Sequence, residues 1–238
     1  MPTYNYKDYV KVMRPLPKNW PIDIEGIPFV KKSAINISDI NNGKWLISIS
    51  NINKSSKNLN RKISHCFRYD NELNRFYNNP FLFLERATKC YAASTFDISM
   101  HEEMQRAQIV AATFENRWSG VWLQTNGYER VVVTVGWVKP DTYDICFAGI
   151  EDGTTLMIST LGVCNDESKQ DFLAGFGEMR KRFPHSQIIC LGSKLDGMDE
   201  NICYVSYDQA FGSLDKKHSY WQQKLFNWDF SEVNYDGI

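Results

Sequence analysis

The sequence has no long hydrophobic run. None of its apolar stretches approaches the roughly 20 residues that a membrane-spanning helix needs, and its start, MPTYNYKDYVKVMRPLP, lacks the apolar core of a signal peptide. Hydrophobic residues make up 43% and charged residues 23% of the 238 residues, as in ordinary globular proteins. We therefore expect a cytoplasmic protein without membrane contacts, built from one domain or from one domain and an extension.

Paired cysteines and clustered histidines are also missing. No two of the six cysteines form a CxxC pair, and the four histidines are scattered along the chain. Spacing therefore predicts no zinc site. Several cysteines lie in apolar, strand-like stretches such as IICLG and ICYVSY, so we expect reduced, buried thiols.

The common catalytic and nucleotide-binding motifs are absent. The chain contains no GxxxxGK[ST] loop and no GxGxxG after a strand, which argues against a Walker phosphate site and a dinucleotide fold. GxSxG and HExxH are missing too. The cofactor is therefore unknown, and whether the protein is an enzyme is left open.

The charge distribution is uneven. Residues 1–70 hold 12 Lys and Arg against 5 Asp and Glu, and residues 71–238 hold 15 against 23. This contrast is typical of a polyanion-binding arm on an acidic body, or of a basic segment that packs on that body. We favour packing, because the basic residues are spread out.

Composition divides the chain into three parts. Residues 1–62 are rich in proline, aromatic and basic residues and are predicted to be an extended segment packed on the body. Residues 63–210 form the predicted α/β core. Residues 211–238 are an aromatic tail, including HSYWQQKLFNWDF at 218–230, that either covers the body or mediates self-association.

Hydrophobic periodicity predicts strands and helices in alternation. Asp70 and Asn79 are predicted N-caps of two short helices, and Asn165 or Asp166 is the predicted cap of a helix to about Phe183. A fourth and longer helix is predicted over about 100–125. The predicted strands include 43–50, 63–69, 91–97, 130–137, 154–162, 187–192 and 202–207. This order predicts a mostly parallel sheet with helices on its faces, with an incomplete or full α/β barrel as the alternative.

Polar residues follow these strands where each one ends. In parallel sheets the carboxyl ends share one edge, where ligands usually bind. Asp97 is the candidate catalytic residue, as a general base or metal ligand. The candidate ligand-binding residues are Ser99, Trp137, Lys139, Ser159, Thr160, Gly192, Ser193 and Lys194.

Several of these residues have a structural alternative. Asp97 and Ser99 could instead cap the long helix, and Trp137 could cover the core rather than stack on a ligand. Arg117 and two residues near the end of that helix are expected on the side away from the crevice, as fold-supporting or surface residues. The glycines of FLAGFGEM are expected to permit close helix packing.

The order of these segments resembles an uncharacterised family of domain-of-unknown-function proteins from phages, plasmids and integrated elements of Firmicutes. The resemblance covers about residues 65–210. Val138 stands where the family pattern has a glycine after the tryptophan. The motifs that carry the resemblance are FDIS (96–99), NRWSGVWLQTNG (116–127), TVGWV (134–138), CFAGI (146–150), STLG (159–162), FLAGFGEM (172–179) and ICLG (189–192).

The resemblance implies an origin in a mobile element and no particular activity. Three functions therefore remain open. The first is an accessory protein that binds a nucleotide, a nucleic acid or a host protein, in counter-defence or replication. The second is an enzyme acting on a phosphorylated or nucleotide-like small molecule. The third is an interaction scaffold.

Overall fold

The computed structural model describes residues 5–37, 45–207 and 210. The helices are α1 (Tyr6–Met13), α2 (Asp70–Asn78), α3 (Pro80–Ala87), α4 (Arg106–Thr125), α5 (Tyr143–Cys146) and α6 (Asp166–Arg182). The strands are β1 (Leu46–Ser48), β2 (Ile63–His65), β3 (Ala92–Ser94), β4 (Val131–Thr134), β5 (Leu156–Ser159), β6 (Ile188–Leu191) and β7 (Cys203–Val205). No helix within these ranges is long and apolar enough to cross a membrane.

The seven strands form one sheet in the order in which they occur along the chain. Every neighbouring pair is parallel, and the register includes Ser64 opposite Ala93 and Ile158 opposite Cys190. The sheet curls into a half-barrel. The predicted parallel α/β fold is confirmed, and so is its alternative of an incomplete barrel.

The two faces of the sheet are covered differently. Alternate residues of β4 divide between two cores: Val131 and Val133 pack in the larger core, whereas Val132 packs in the smaller one. Helices α2–α6 contribute their buried residues to the larger core. Connections between neighbouring parallel strands of a sheet nearly always have the same handedness. When the strands follow one another in chain order, this places successive helices on the same face.

Residues 5–37 lie along the outside of this unit and are tied to it by backbone hydrogen bonds. Val30 N donates to Gly149 O (2.9 Å), and Thr155 N donates to Ser33 O (2.8 Å). Helix α1 is not among the predicted elements. The Asn5 side chain caps it by accepting from Asp8 N.

Several predicted boundaries are wrong. The long helix begins at Arg106 rather than near residue 100, because Gln105 and Gln108 form a capping box there. Asp70 is the first residue of α2 and does not cap it. Asn79 and Asn165 do cap α3 and α6. The division into 1–62, 63–210 and 211–238 stays a prediction, and the tail lies outside the described residues.

Four of the six cysteines, Cys66, Cys90, Cys146 and Cys190, are buried. Burial raises the pKa of the Cys66 and Cys190 thiols to about 12. These side chains are therefore protonated at neutral pH, as expected of small core residues and not of nucleophiles.

One glycine of α6 is required by packing. A Cβ atom at Gly175 would lie 2.1 Å from the Trp137 ring, whereas a Cβ at Gly177 would meet nothing within 4 Å. The Trp137 ring also packs at 5.0 Å from Phe172 and 6.0 Å from Phe147, measured between ring centroids. Gly175 thus allows the indole to approach the helix backbone closely.

We predict that Gly175→Ala destabilises the fold by about 1–3 kcal/mol, because the new methyl group displaces the indole. Gly177→Ala is the matched control on the same helix, and it should stabilise the fold by up to about 1 kcal/mol through helix propensity. Urea unfolding monitored by circular dichroism measures both changes. Equal stabilisation by the two substitutions would contradict the proposed packing.

Candidate functional site

Two loops at the carboxyl edge of the sheet enclose a small recess. They follow β3 and β4, at residues 95–105 and 135–139. The recess has a volume of about 10 Å³, enough for about one water molecule. Its lining residues are Asp97, Ile98, Met100, Ala112, Thr113, Asn116, Arg117, Gly136 and Cys146.

The Asp97 carboxyl group is the titratable group of greatest interest in this recess. Burial, and secondarily the negative charge of Asp70, raises its pKa from 3.8 to about 7. The side chain keeps some solvent exposure, and within the described part of the chain its carboxylate accepts no hydrogen bond. A carboxyl group in this state can gain or lose a proton near neutral pH.

Asp70 holds the turn that follows Asp97. Its Oδ1 atom accepts hydrogen bonds from Ser99 N at 3.2 Å and from Ser99 Oγ at 3.1 Å. The second carboxylate is thereby fixed near Asp97. The alternative that Asp97 and Ser99 cap the long helix is wrong, because that helix starts at Arg106 and Gln105 caps it.

A buried arginine forms the inner wall of the recess. The Arg117 guanidinium donates to Ala148 O (2.8 Å), Cys146 O (2.7 Å) and Thr134 O (3.2 Å), and it also donates to Asn116 Oδ1 at 2.5 Å. These acceptors belong to β4, to α4 itself, and to the end of α5 and the turn after it. One side chain therefore joins three elements beneath the site.

Asn116 extends this network to the end of β3. Its Nδ2 atom donates to Phe96 O (2.5 Å) and Thr134 O (2.9 Å), and its Oδ1 atom accepts from Thr95 Oγ1 at 2.9 Å. Phe96 directly precedes Asp97. The position of the Asp97 backbone is thus fixed by hydrogen bonds from α4.

The positive charge of Arg117 has no carboxylate partner among the described residues. The side chain is 1% exposed, and burial lowers its pKa to about 10, so it stays charged at neutral pH. Carbonyl oxygens satisfy the N–H groups but do not cancel the charge. The wall of the recess is therefore electropositive. The expectation that Arg117 lies away from the crevice is wrong, because the helix begins later and Arg117 falls near its middle.

A larger open depression of about 400 Å³ lies between the same two loops. Arg106, on its wall, pairs with Glu25 (2.7 Å) and Asp144 (2.9 Å). The candidate residue Lys139 also lines it and makes no ion pair within the described ranges. The lining residues are Glu102, Glu103, Met104, Gln105, Arg106, Lys139, Asp141 and Thr142.

The other candidate residues lie at the ends of β5 and β6. Ser159 Oγ donates to Leu191 O (3.2 Å), and Thr160 Oγ1 donates to Ser193 O (2.9 Å). Both hydroxyl groups therefore already donate hydrogen bonds to the neighbouring backbone. Gly192 has a φ of 117°, and a Cβ there would lie 2.2 Å from Thr160 Oγ1. This contact gives a packing reason for the glycine.

Lys194 and Trp137 complete the set of candidate residues. The Lys194 ammonium group pairs with Glu200, and the Trp137 ring is packed between α6 and Phe147. The recess therefore contains Asp97 but none of the ligand-binding candidates, and Lys139 lies in the neighbouring depression. Ligand binding by these residues stays a prediction.

No group of three His, Cys, Asp or Glu side chains in residues 5–37, 45–207 and 210 is arranged to hold a metal ion. Asp97 and Asp70 interact as a pair of carboxyl groups, since the charge of Asp70 contributes to the raised pKa of Asp97. The chemistry that this geometry supports directly is proton transfer at Asp97.

We predict that Arg117→Met destabilises the fold by at least about 2 kcal/mol, because it leaves buried carbonyl groups without donors. Arg130→Met is the control. Arg130 is exposed and lies over the Tyr91 ring at 4.7 Å, so its loss should cost at most about 1 kcal/mol. Thermal unfolding compares the two variants. Equal losses would show that the Arg117 network contributes nothing beyond an ordinary surface contact.

We predict that Asp97→Asn stabilises the protein at high pH. The pKa of Asp97 rises from 3.8 to about 7 on folding, so folding favours the protonated form. The corresponding stability is present below about pH 4 and is lost as the pH rises through about 7. At pH 8 the asparagine variant should be more stable by about 1–3 kcal/mol, at roughly 1.4 kcal/mol for each pKa unit and allowing for partial exposure.

The measurement is the difference in free energy of unfolding between variant and wild type from pH 4 to 8. The difference between variant and wild type is used because it cancels the contribution of His65. Burial lowers the pKa of His65 to about 4, so His65 makes the free energy of unfolding rise with pH, whereas Asp97 makes it fall. Asp196→Asn is the control, since the Asp196 side chain is fully exposed. A difference that does not change with pH would rule out the raised pKa.

Comparison with known proteins places this chain among phage proteins. It is 36% identical to the Gene 1 protein of Mycobacterium phage D29 over 119 residues, which are 50% of this chain and 44% of that protein. It is 32% identical to the Gene 1 protein of Mycobacterium phage L5 over 138 residues, 57% of this chain and 60% of that protein. The chain thus spans about half the length of these relatives. No solved structure matches it.

The family model supports the same conclusion. Residues 25–208 match DUF4417, a domain of unknown function. The predicted resemblance to a domain-of-unknown-function family and its link to phages are confirmed, whereas the link to Firmicutes and plasmids stays a prediction. The chain is a phage-associated protein that belongs to the DUF4417 family.

Proposed function

We propose that the protein binds a small phosphorylated or nucleotide-like ligand at the carboxyl edge of the sheet, and that Asp97 exchanges a proton with it. One observation carries the proposal. The Asp97 carboxyl group is partly buried, accepts no hydrogen bond in the described part of the chain and has a pKa raised to about 7. Perturbed carboxyl groups of this kind cluster at functional sites.

The cost of this arrangement supports a functional role. A carboxylate whose pKa is raised by burial destabilises the folded protein at neutral pH. Asparagine at this position would avoid that cost and keep a similar shape. A stability cost at a ligand-accessible position is typical of a residue kept for its chemistry.

The charges around Asp97 favour an anionic ligand. Arg117 contributes a buried positive charge that no carboxylate neutralises within the described ranges, and Lys139 adds an exposed ammonium group in the adjoining depression. A phosphate group in the depression would lie near Lys139. The reacting hydroxyl or water would then be next to Asp97, where the loops after β3 and β4 meet.

Asp97 would act as a general base or acid in this site. With a pKa of about 7, both of its protonation states are populated at physiological pH, which suits proton transfer in either direction. The electropositive wall formed by Arg117 would stabilise negative charge that develops on the reacting oxygen. The phage association makes host nucleotides or phosphorylated signalling molecules suitable substrates, in replication or in counter-defence.

The test is conversion of a panel of nucleoside mono-, di- and triphosphates and sugar phosphates, followed by liquid chromatography and mass spectrometry. We expect wild type to convert one class, and Asp97→Asn to lower that rate by at least about a hundredfold, as for loss of a general base. Asp196→Asn, at an exposed position, should match wild type.

Two results would contradict the proposal. One is that wild type neither binds nor converts any member of the panel, with binding followed by native mass spectrometry. The other is conversion that proceeds equally in wild type and Asp97→Asn. Reduced binding in Lys139→Met, with the fold intact, would place the anionic group in the depression.

A further inference from the structure

The amino edge of the sheet, where its strands begin, is basic over part of its length. The segments that lead into β2, β3 and β4, together with a stretch of the N-terminal segment, hold eight Lys and Arg and one acidic residue. The segments that lead into β5 and β7, at 151–155 and 196–202, hold five acidic residues and no Lys or Arg. Positive charge is therefore concentrated around the starts of β2, β3 and β4. The four basic stretches are 31–37, 53–62, 88–91 and 126–130.

The first of these stretches is held at the edge by hydrogen bonds. Val131 N, at the start of β4, donates to Ser33 Oγ at 3.2 Å. The Gln124 side chain, near the end of α4, donates to Lys31 O (2.8 Å) and accepts from Lys31 N (2.9 Å). Lys31 and Lys32 therefore lie beside the start of β4.

Two cations of this edge are held against aromatic rings. The Arg130 guanidinium carbon lies 4.7 Å from the centre of the Tyr91 ring, and the Lys31 ammonium nitrogen lies 4.7 Å from the centre of the Trp20 ring. Both Arg130 and Lys31 are exposed. A cation–π contact limits the positions of a side chain without neutralising its charge. These two charges are therefore partly ordered before any partner binds.

Four cations of the edge have no carboxylate partner in the described part of the chain. Lys31, Lys32, Lys62 and Arg130 make no ion pair there. Lys62 directly precedes β2, and Arg130 directly precedes β4. Neighbouring strands are about 4.8 Å apart, so the backbones of these two residues are separated by about 10 Å along the edge. We call Lys31, Lys32, Lys62 and Arg130 the basic edge.

We propose that the basic edge binds the phosphate backbone of a nucleic acid. A row of cations along a sheet edge matches the repeated charges of a polyanion, whereas a single small anion needs cations that converge on one point. Arg130 adds a planar guanidinium group, which can donate two parallel hydrogen bonds to one phosphate. Contacts of this kind position a nucleic acid without reading its sequence.

Two other partners with negative charge fit the basic edge less well. An anionic membrane surface is bound by basic residues together with apolar side chains that enter the lipid layer. The exposed large hydrophobic residues of the described ranges lie between positions 6 and 24 and at 161, and none belongs to the basic stretches. An acidic protein also needs apolar area at the centre of a stable interface, so the same absence argues against it.

The basic edge is separate from the site around Asp97, because the two lie at opposite edges of the parallel sheet. Asp97→Asn should therefore bind nucleic acid like wild type. Failure of the proposed proton transfer and failure of nucleic-acid binding are thus distinguishable.

The test is fluorescence anisotropy of the full chain with a labelled single-stranded oligonucleotide and with a duplex of the same sequence. We expect the affinity to fall steeply between about 50 and about 200 mM salt, with a slope of log K against log salt of about −3 for four cations on a single strand. Binding of either form with a slope of this size supports the proposal. The form that binds more tightly shows which arrangement of phosphates fits the edge.

Single substitutions test the assignment to these residues. Arg130→Met and Lys32→Met should each weaken binding about threefold or more at low salt and reduce the slope by about 1, since each removes one phosphate contact. Glu129→Gln should instead strengthen binding, because Glu129 is the acidic residue of the basic stretches. A loss of folding cannot produce this gain. Lys11→Met is the matched control and should bind like wild type, because Lys11 is exposed on α1, outside these stretches.

Three results would overturn the proposal: no binding of either form at about 50 mM salt, an affinity that does not change with salt, and unchanged binding in both Arg130→Met and Lys32→Met. Polyglutamate that displaces the oligonucleotide equally well at equal charge would replace the nucleic acid with an acidic protein partner. Equal displacement by phosphatidylserine vesicles would replace it with a membrane surface.

Lysine acetylation measured by mass spectrometry locates the contact independently. Bound oligonucleotide should protect Lys31, Lys32 and Lys62 from acetylation and leave Lys11 reactive. Protection of Lys139, at the carboxyl edge, in place of these three lysines would contradict the assignment of the basic edge.

Discussion

The buried guanidinium of Arg117 is the constraint on which the site depends. Its hydrogen bonds join α4 to the end of β4, to the end of α5 and to the turn after α5. Its neighbour Asn116 donates to the carbonyl of Phe96, the residue before Asp97. The loop that carries the Asp97 carboxyl group therefore lies over this network, and the network maintains the geometry of the sheet edge. The same side chain leaves positive charge beside the recess. Arg117 thus provides both the hydrogen bonds that support the site and the positive charge beside it.

Asp97 and Arg117 contribute differently to the protein. Arg117 stabilises the fold through carbonyl groups that need donors, whereas Asp97 accepts no hydrogen bond among the described residues and costs stability when it ionises. The motifs that carry the resemblance to the family mostly supply residues that stabilise the fold, as Arg117 does. NRW supplies Asn116 and Arg117, CFAGI supplies the carbonyl acceptors, and FLAGFGEM supplies the glycine under Trp137.

The sequence predicted the sheet better than the site. Runs such as RVVVTV and QIICLG are largely apolar and buried on both faces, so their assignment as parallel strands depends on local pattern alone. The recess depends on contacts between residues far apart in sequence, such as Arg117 with Ala148, which no local pattern contains. The error at the start of α4 had a physical cause: Met100 and Met104 continue the apolar spacing, but Gln105 provides the cap. The asparagine and arginine before Trp118 were the missed signal, since polar residues on a buried helix face need partners.

The most direct test of this account is the pKa of Asp97 itself. Carbon-detected nuclear magnetic resonance of the aspartate side-chain carboxyl carbons, assigned by comparison with Asp97→Asn, follows its titration without reference to any ligand. The account predicts a midpoint near pH 7, as burial and Asp70 require. A midpoint at or below the ordinary value of about 4 would mean that the carboxylate is solvated or paired, and the proton-transfer role would be lost.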